Sequence, residues 1–173
     1  MDDLRDAWAS FMDVLERYNN AVSYLNGPCS PEALREAELV LGFPMPEQLA
    51  ELLKLNNGQR IEKYGKPIFK SPMRAPLYRR QSFLDAQSIA EAYRAFIEDE
   101  LLMQEFGDRE VPFASYWTSI TQGEVFTVNR DSGVVNLIRT ETYDPFNPPE
   151  WQVARFERGK DLADFLRQQC LLY

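Results

Sequence analysis

Three adjacent carboxylates, Glu98-Asp99-Glu100, could hold a metal ion or supply a general base. On a helix, however, neighbouring side chains point about 100° apart and do not converge. The expectation is a solvated acidic face that also carries Glu91 and Glu105. A glycosidase pair needs two specific acids facing each other across a cleft, and among 27 Asp and Glu no pair stands out. The chain has no histidine. That removes Ser-His-Asp and Cys-His catalysis, histidine-ligated metals and histidine pH switches. Ser115 and Ser119 have no base in a recognisable motif, and there is no Gly-rich phosphate loop or cysteine cluster. No cofactor and no metal are expected. Cys29 and Cys170 are the only cysteines. They read as free thiols of a cytoplasmic protein.

The remaining material suits binding rather than bond-making. The 173 residues suit one domain spanning 1–173, with 45% hydrophobic residues to build a core. The net charge is −8, which argues against a general nucleic-acid or anionic-membrane binder. The start, Met1-Asp2-Asp3-Leu4-Arg5-Asp6, does not read as a signal peptide, and no window is apolar enough to span a membrane. Residues 60–80 break the acidic trend. Seven basic residues against Glu62 give that segment +6, which leaves −14 on the rest. Pro67, Pro72 and Pro76 mark it as a loop or a loop with an edge strand, a basic insertion within the domain. Its aromatics Tyr64, Phe69 and Tyr78 would allow stacking on single-stranded nucleic acid. Pairing of its charges with the acidic fourth helix is the more economical reading.

The elements that must position these residues follow from spacing. Leu4, Trp8, Phe11, Leu15, Tyr18, Val22 and Leu25 recur at threes and fours, predicting a helix of about six turns that stops at Gly27-Pro28. Ser30 caps and Pro31 opens a second helix with Leu34, Ala37, Val40 and Leu41 inward. Gly42-Phe43-Pro44-Met45-Pro46 turns the corner to a third, carrying Leu49, Leu52 and Leu53 and closed by Asn56-Asn57-Gly58. A fourth helix starts at the cap Asp85 and ends before Gly107, burying Ile89, Tyr93, Phe96, Ile97 and Leu101. The period then changes to two. Val111, Phe113, Ser115 and Trp117 alternate with polar or small neighbours. Runs at 124–128 and 134–138 flank a turn ending in Gly133, and 152–156 adds a last strand. Asp161 caps a closing helix. Segregated helices and antiparallel strands predict an α+β fold: N-terminal helices packed on a β-meander with a C-terminal helix.

Residues 39–58, from Leu39-Val40-Leu41-Gly42-Phe43-Pro44 to Leu55-Asn56-Asn57-Gly58, resemble the N-terminal motif of the SUKH superfamily. That group includes the yeast cell-wall synthesis regulators and many bacterial toxin-immunity proteins. Trp8 stands where members carry a Trp in the first helix. The helix at 83–96, the strands around Val111-Pro112-Phe113, Gly123-Glu124-Val125-Phe126 and Ser132-Gly133-Val134-Val135, and the helix at 162–166 follow in the family's order. The sequence departs at Asn56, often His, at Gln59, usually Gly, and at Gly123-Glu124, where members have Gly-Asp. The resemblance implies a non-catalytic protein-binding module, a cytoplasmic immunity protein that neutralises a nuclease-like toxin by occlusion. A regulatory scaffold is the alternative, and a carboxylate-dependent enzyme a more distant one.

The partner surface expected on this reading is the set Tyr116, Trp117, Glu124, Asp131, Asp144, Glu150 and Trp151. Core packing is the default for Tyr116, Trp117, Phe146 and Trp151, but Trp and Tyr become anchors wherever they are exposed. The four acids would form a rim around them. An acidic rim raises the association rate with a basic partner such as a nuclease. No nucleic-acid or membrane partner is expected.

Overall fold

A computed structural model describes residues 2–18, 21–59, 68–70, 80–115, 123–142 and 151–173. Leu4, Trp8, Phe11 and Leu15 form the buried stripe of helix α1 (Asp2–Tyr18). The expected six-turn helix is shorter than its apolar stripe. Helix α1 ends at Tyr18, and a separate 3₁₀ turn covers Ala21–Tyr24. The sequence between them is Asn19-Asn20, and asparagine favours caps and turns over helix interiors.

The local punctuation works as the sequence predicts. Ser30 accepts a hydrogen bond from the Ala33 N–H at the start of α2 (Pro31–Leu41), and Gly42 ends it at φ 79°. The α2 face differs in one place: Val40 is 44% exposed beside Leu39 at 78%, and only Ala37 and Leu41 are buried. Helix α3 (Glu47–Leu55) buries Leu49, Leu52 and Leu53. Asp85 caps α4 (Ala86–Glu98) through the Ser88 N–H at 2.7 Å. The fourth helix does not run on to Gly107. It breaks at Asp99, whose carboxylate accepts from the Leu102 N–H at 3.0 Å and starts α5 (Glu100–Phe106). Within Glu98-Asp99-Glu100, then, the middle acid is a helix cap. Asp161 caps α6 (Leu162–Cys170).

Among the described residues, six strands run in chain order, each antiparallel to the next. They are β1 (Phe69–Lys70), β2 (Arg80–Phe83), β3 (Glu110–Ser115), β4 (Gly123–Asn129), β5 (Val135–Thr142) and β6 (Trp151–Gly159). The result is an α+β meander with helices before and after it. Strand β3 does not alternate inside and out: all six residues are buried. A bulge between Pro112 and Ala114 shifts its register, and both faces of the sheet are covered.

The main face holds Phe113, Phe126, Val128, Val135 and Leu137 against α1, α3 and α6. Phe69 sits at the centre of its rings, 5.2 Å from Phe165, 5.7 Å from Phe11 and 5.9 Å from Phe113. It is 0% exposed, so it is not a platform for nucleic-acid stacking. The basic segment thus gives two of its residues, Ile68 and Phe69, to the core. Arg60, Lys63, Tyr64, Lys66, Arg74, Tyr78 and Arg79 lie outside the described residues, as does their expected pairing with the fourth helix. On the opposite face Val125 and Ile138 pack on Phe96 and Leu102.

Gly58 explains why Asn-Gly closes α3. It has φ 72°, and a Cβ there would stand 2.4 Å from the Asp85 backbone nitrogen. The residues beside it, the departures Asn56 and Gln59 among them, are used as staples. Asn56 Nδ2 donates to the Asn26 carbonyl, Asn57 Oδ1 accepts from the Ala86 N–H, and Gln59 Oε1 accepts from the Phe83 N–H.

Candidate functional site

The register fixes which loops are neighbours. Lys70 pairs with Arg80, Ser82 with Ser115, Ser115 with Val125, Gly123 with Thr140, and Thr142 with Trp151. The chain therefore enters and leaves segments 71–79, 116–122 and 143–150 at one end of the sheet. Of the expected partner surface, Tyr116, Trp117, Asp144 and Glu150 belong to those segments and lie outside the described residues. Trp151 is described as the first residue of β6.

Glu124 sits one residue inside this end and is 5% exposed. This corrects the expectation that it lines an open rim. It shares the main face with Phe126, and its cross-strand partner is Arg139, with Arg139 Nε 3.8 Å from Glu124 Oε1. Arg158 is the second cation nearby. Burial pushes its guanidinium down from the ordinary value, and the Glu124 charge opposes that shift. A buried carboxylate needs such partners, because desolvation penalises an unpaired charge heavily. Thr140 finishes this corner, its Oγ1 accepting from the Gly123 N–H at 2.8 Å.

Asp131 belongs to the other end. Strand β4 has seven residues, which at about 3.3 Å each separate the two ends by roughly 20 Å. Asp131 is exposed on the β4–β5 turn, 3.3 Å from Arg109 Nε. The turn is built by Asn129, whose Oδ1 accepts from the N–H groups of Asp131 and Ser132. Arg130 pairs with Asp108 at 2.9 Å and lies 4.7 Å above the Phe43 ring. Phe43 in turn meets Tyr93 edge-on, and the Tyr93 hydroxyl donates to the Asp108 carbonyl. Burial pushes the Tyr93 pKa up, Asp108 adds to the shift and Arg130 opposes it. The Gly42-Phe43-Pro44 corner is thus clamped to the β4–β5 turn.

Sequence reasoning missed a third cluster. Glu110 is 0% exposed on the opposite face of the sheet. Its carboxylate accepts from Thr127 Oγ1, from Asn129 Nδ2 at 3.1 Å and from Asn136 Nδ2 at 3.2 Å. Arg155 Nη1 stands 3.7 Å away and closes the cluster toward solvent. The available signal was Thr127, Asn129 and Asn136, polar residues in two otherwise apolar runs at positions that share a face. The arrangement ties β3, β4, β5 and β6 together.

Among the described residues, no three Cys, Asp or Glu converge as metal ligands, and no helix is long and apolar enough to cross a membrane. Both cysteines are free thiols. No curated protein matches this chain. The span from the loop before α2 to the last turns of α6, residues 28–168, matches the SMI1 / KNR4 family (SUKH-1), and the chain belongs to that family.

Proposed function

We propose that this protein is a non-catalytic binding module of the cytoplasm, a single domain that neutralises a basic, nuclease-like toxin by covering its active site. Membership of SUKH-1 over residues 28–168 carries the reading, since many proteins resembling this family are toxin-immunity proteins. The charge supports it. A net −8, with −14 outside residues 60–80, raises the rate of encounter with a phosphate-binding, cationic partner.

The proposed contact surface is the sheet end fed by segments 116–122 and 143–150, with Tyr116, Trp117 and Trp151 as anchors and Asp144 and Glu150 as the acidic rim. Glu124 acts from beneath, holding Arg139 and Arg158 in place. Asp131, at the far end of the sheet, is an outlying contact that adds to the acidic field. The test is co-purification with toxin domains encoded beside this protein, followed by Trp117→Ala and Trp151→Ala. Each substitution is expected to weaken binding tenfold or more, as aromatic anchors do. Failure of every neighbouring toxin domain to bind, together with unharmed cells when the protein is deleted, would overturn the reading.

A further inference from the structure

The two edges of the sheet are treated differently. Strand β1 has two residues, and Pro67 and Pro72 flank it in the sequence. Short strands and prolines are how proteins blunt an edge against pairing with another chain. Strand β6 has nine residues with neither proline nor lysine among them. Strand β5 pairs along one side of it, and among the described residues no strand pairs along the other.

The side chains of β6 are self-complementary in one register. Arg155 and Glu157 project from the opposite face, Arg155 being 52% exposed at the side chain and Glu157 exposed. Phe156 projects from the main face and is half-buried there. Consider a second copy of β6 laid antiparallel alongside, with a two-fold axis at Phe156. Arg155 of each copy then stands directly opposite Glu157 of the other, and the two Phe156 rings face each other. Moving the axis by one residue sets Arg155 on Arg155 or Glu157 on Glu157. Directly opposed unlike charges and aromatic pairs stabilise antiparallel strands, and like charges destabilise them. A bulge at Arg158, where β5 passes from Asn136 to Val135, confines the regular part of this pairing to residues 155–157 of each copy.

We propose that β6 is a homodimer interface, joining two sheets through antiparallel pairing centred on Phe156. Such an interface is isologous, as two-fold dimers require. Pairing confined to a few residues of one strand per copy is a small contact, of the kind that makes weak, reversible dimers.

Sedimentation velocity on the full chain, from low to high micromolar, tests this without any toxin, so it stands or falls apart from the function proposed above. The expected result is a concentration-dependent dimer. Glu157→Arg should weaken it at least tenfold, and Arg155→Glu likewise. An equimolar mixture of the two variants should dimerise again, because the paired arginines of one strand then meet the paired glutamates of the other. Arg155→Glu also sets a second carboxylate beside the buried Glu110, a cluster that Glu157→Arg leaves intact. Arg155→Lys keeps the charge, should keep the dimer, and puts a reactive amine at position 155. Zero-length carbodiimide cross-linking of mixed isotope-labelled and unlabelled Arg155→Lys chains should join position 155 of one copy to Glu157 of the other. A monomer at every concentration, a dimer indifferent to Glu157→Arg, or the absence of that inter-chain cross-link would each overturn the proposal.

Discussion

On the main face of the sheet, Phe69 meets the rings of Phe11, Phe83, Phe113, Phe126 and Phe165 at 5.2 to 6.4 Å. On the opposite face, Val125 and Ile138 pack on Phe96 and Leu102 beside Glu110, a carboxylate with no exposed surface. The two faces stabilise the same strands by different physics. Burial of the rings is non-directional and sums over many weak attractions. The Glu110 cluster is conditional. Thr127, Asn129 and Asn136 are satisfied only while the carboxylate is present, and the carboxylate is tolerable only while they donate. The main face therefore loses stability in proportion to what is removed. The opposite face loses more than the removed group alone contributed.

The largest effect is expected from Phe69→Ala, which empties the centre of the ring cluster and should cost about 3–5 kcal/mol in urea unfolding. A cost under about 1 kcal/mol would show that the cluster is not the anchor it looks to be. Glu110→Ala should come next, at about 3 kcal/mol, because it leaves three donors and a guanidinium without their partner. Glu110 and Asn136 should also be coupled in a double-mutant cycle, by about 1 kcal/mol, whereas Phe69 and Asn136, on different faces, should add. Arg155→Met sharpens the contrast further. Half-exposed and 3.7 Å from Glu110, Arg155 should contribute less than about 1 kcal/mol.

The smallest effect concerns the thiols. Cys29 and Cys170 both pack in the main-face core, and burial pushes both pKa values up. Less thiolate exists at neutral pH, so both should react with a disulfide reagent more slowly than free cysteine. Phe69→Ala should speed that reaction by loosening the helical layer, and Glu110→Gln should leave it nearly unchanged. Equal acceleration by both substitutions would mean that the faces do not open separately.

Several elements were legible from residue types alone because the forces that make them act over one turn of chain. Ser30, Asp85 and Asp161 cap helices because each has an oxygen that reaches amides two or three residues on. Gly42 and Gly133 accept positive φ. The period of two after Val111 announced the meander, and the ordered motifs from Gly42 to Leu166 announced the family. Asp99 sat in view as well, but an aspartate inside an apolar period reads equally as surface or as cap. Only the turn that α5 makes against Val125 and Ile138 decides between them.

What the chain order could not disclose was the third dimension of the sheet. Alternation says that neighbouring residues face opposite ways, but not whether both sides are covered, so Glu124 was expected on an open rim, β3 was expected to alternate, and nothing singled out Glu110. Nor does spacing reveal which strand ends coincide. Glu124 and Asp131 are seven residues apart, yet a straight strand carries them to opposite ends of the sheet. Antiparallel pairing brings Glu124 beside Arg139 instead, and Glu110 beside Asn136. Phe69 lies in a basic, proline-broken stretch that reads as surface. It is buried because helices and strands distant in the chain leave a ring-sized space at their meeting point, a fact that exists only once they have assembled.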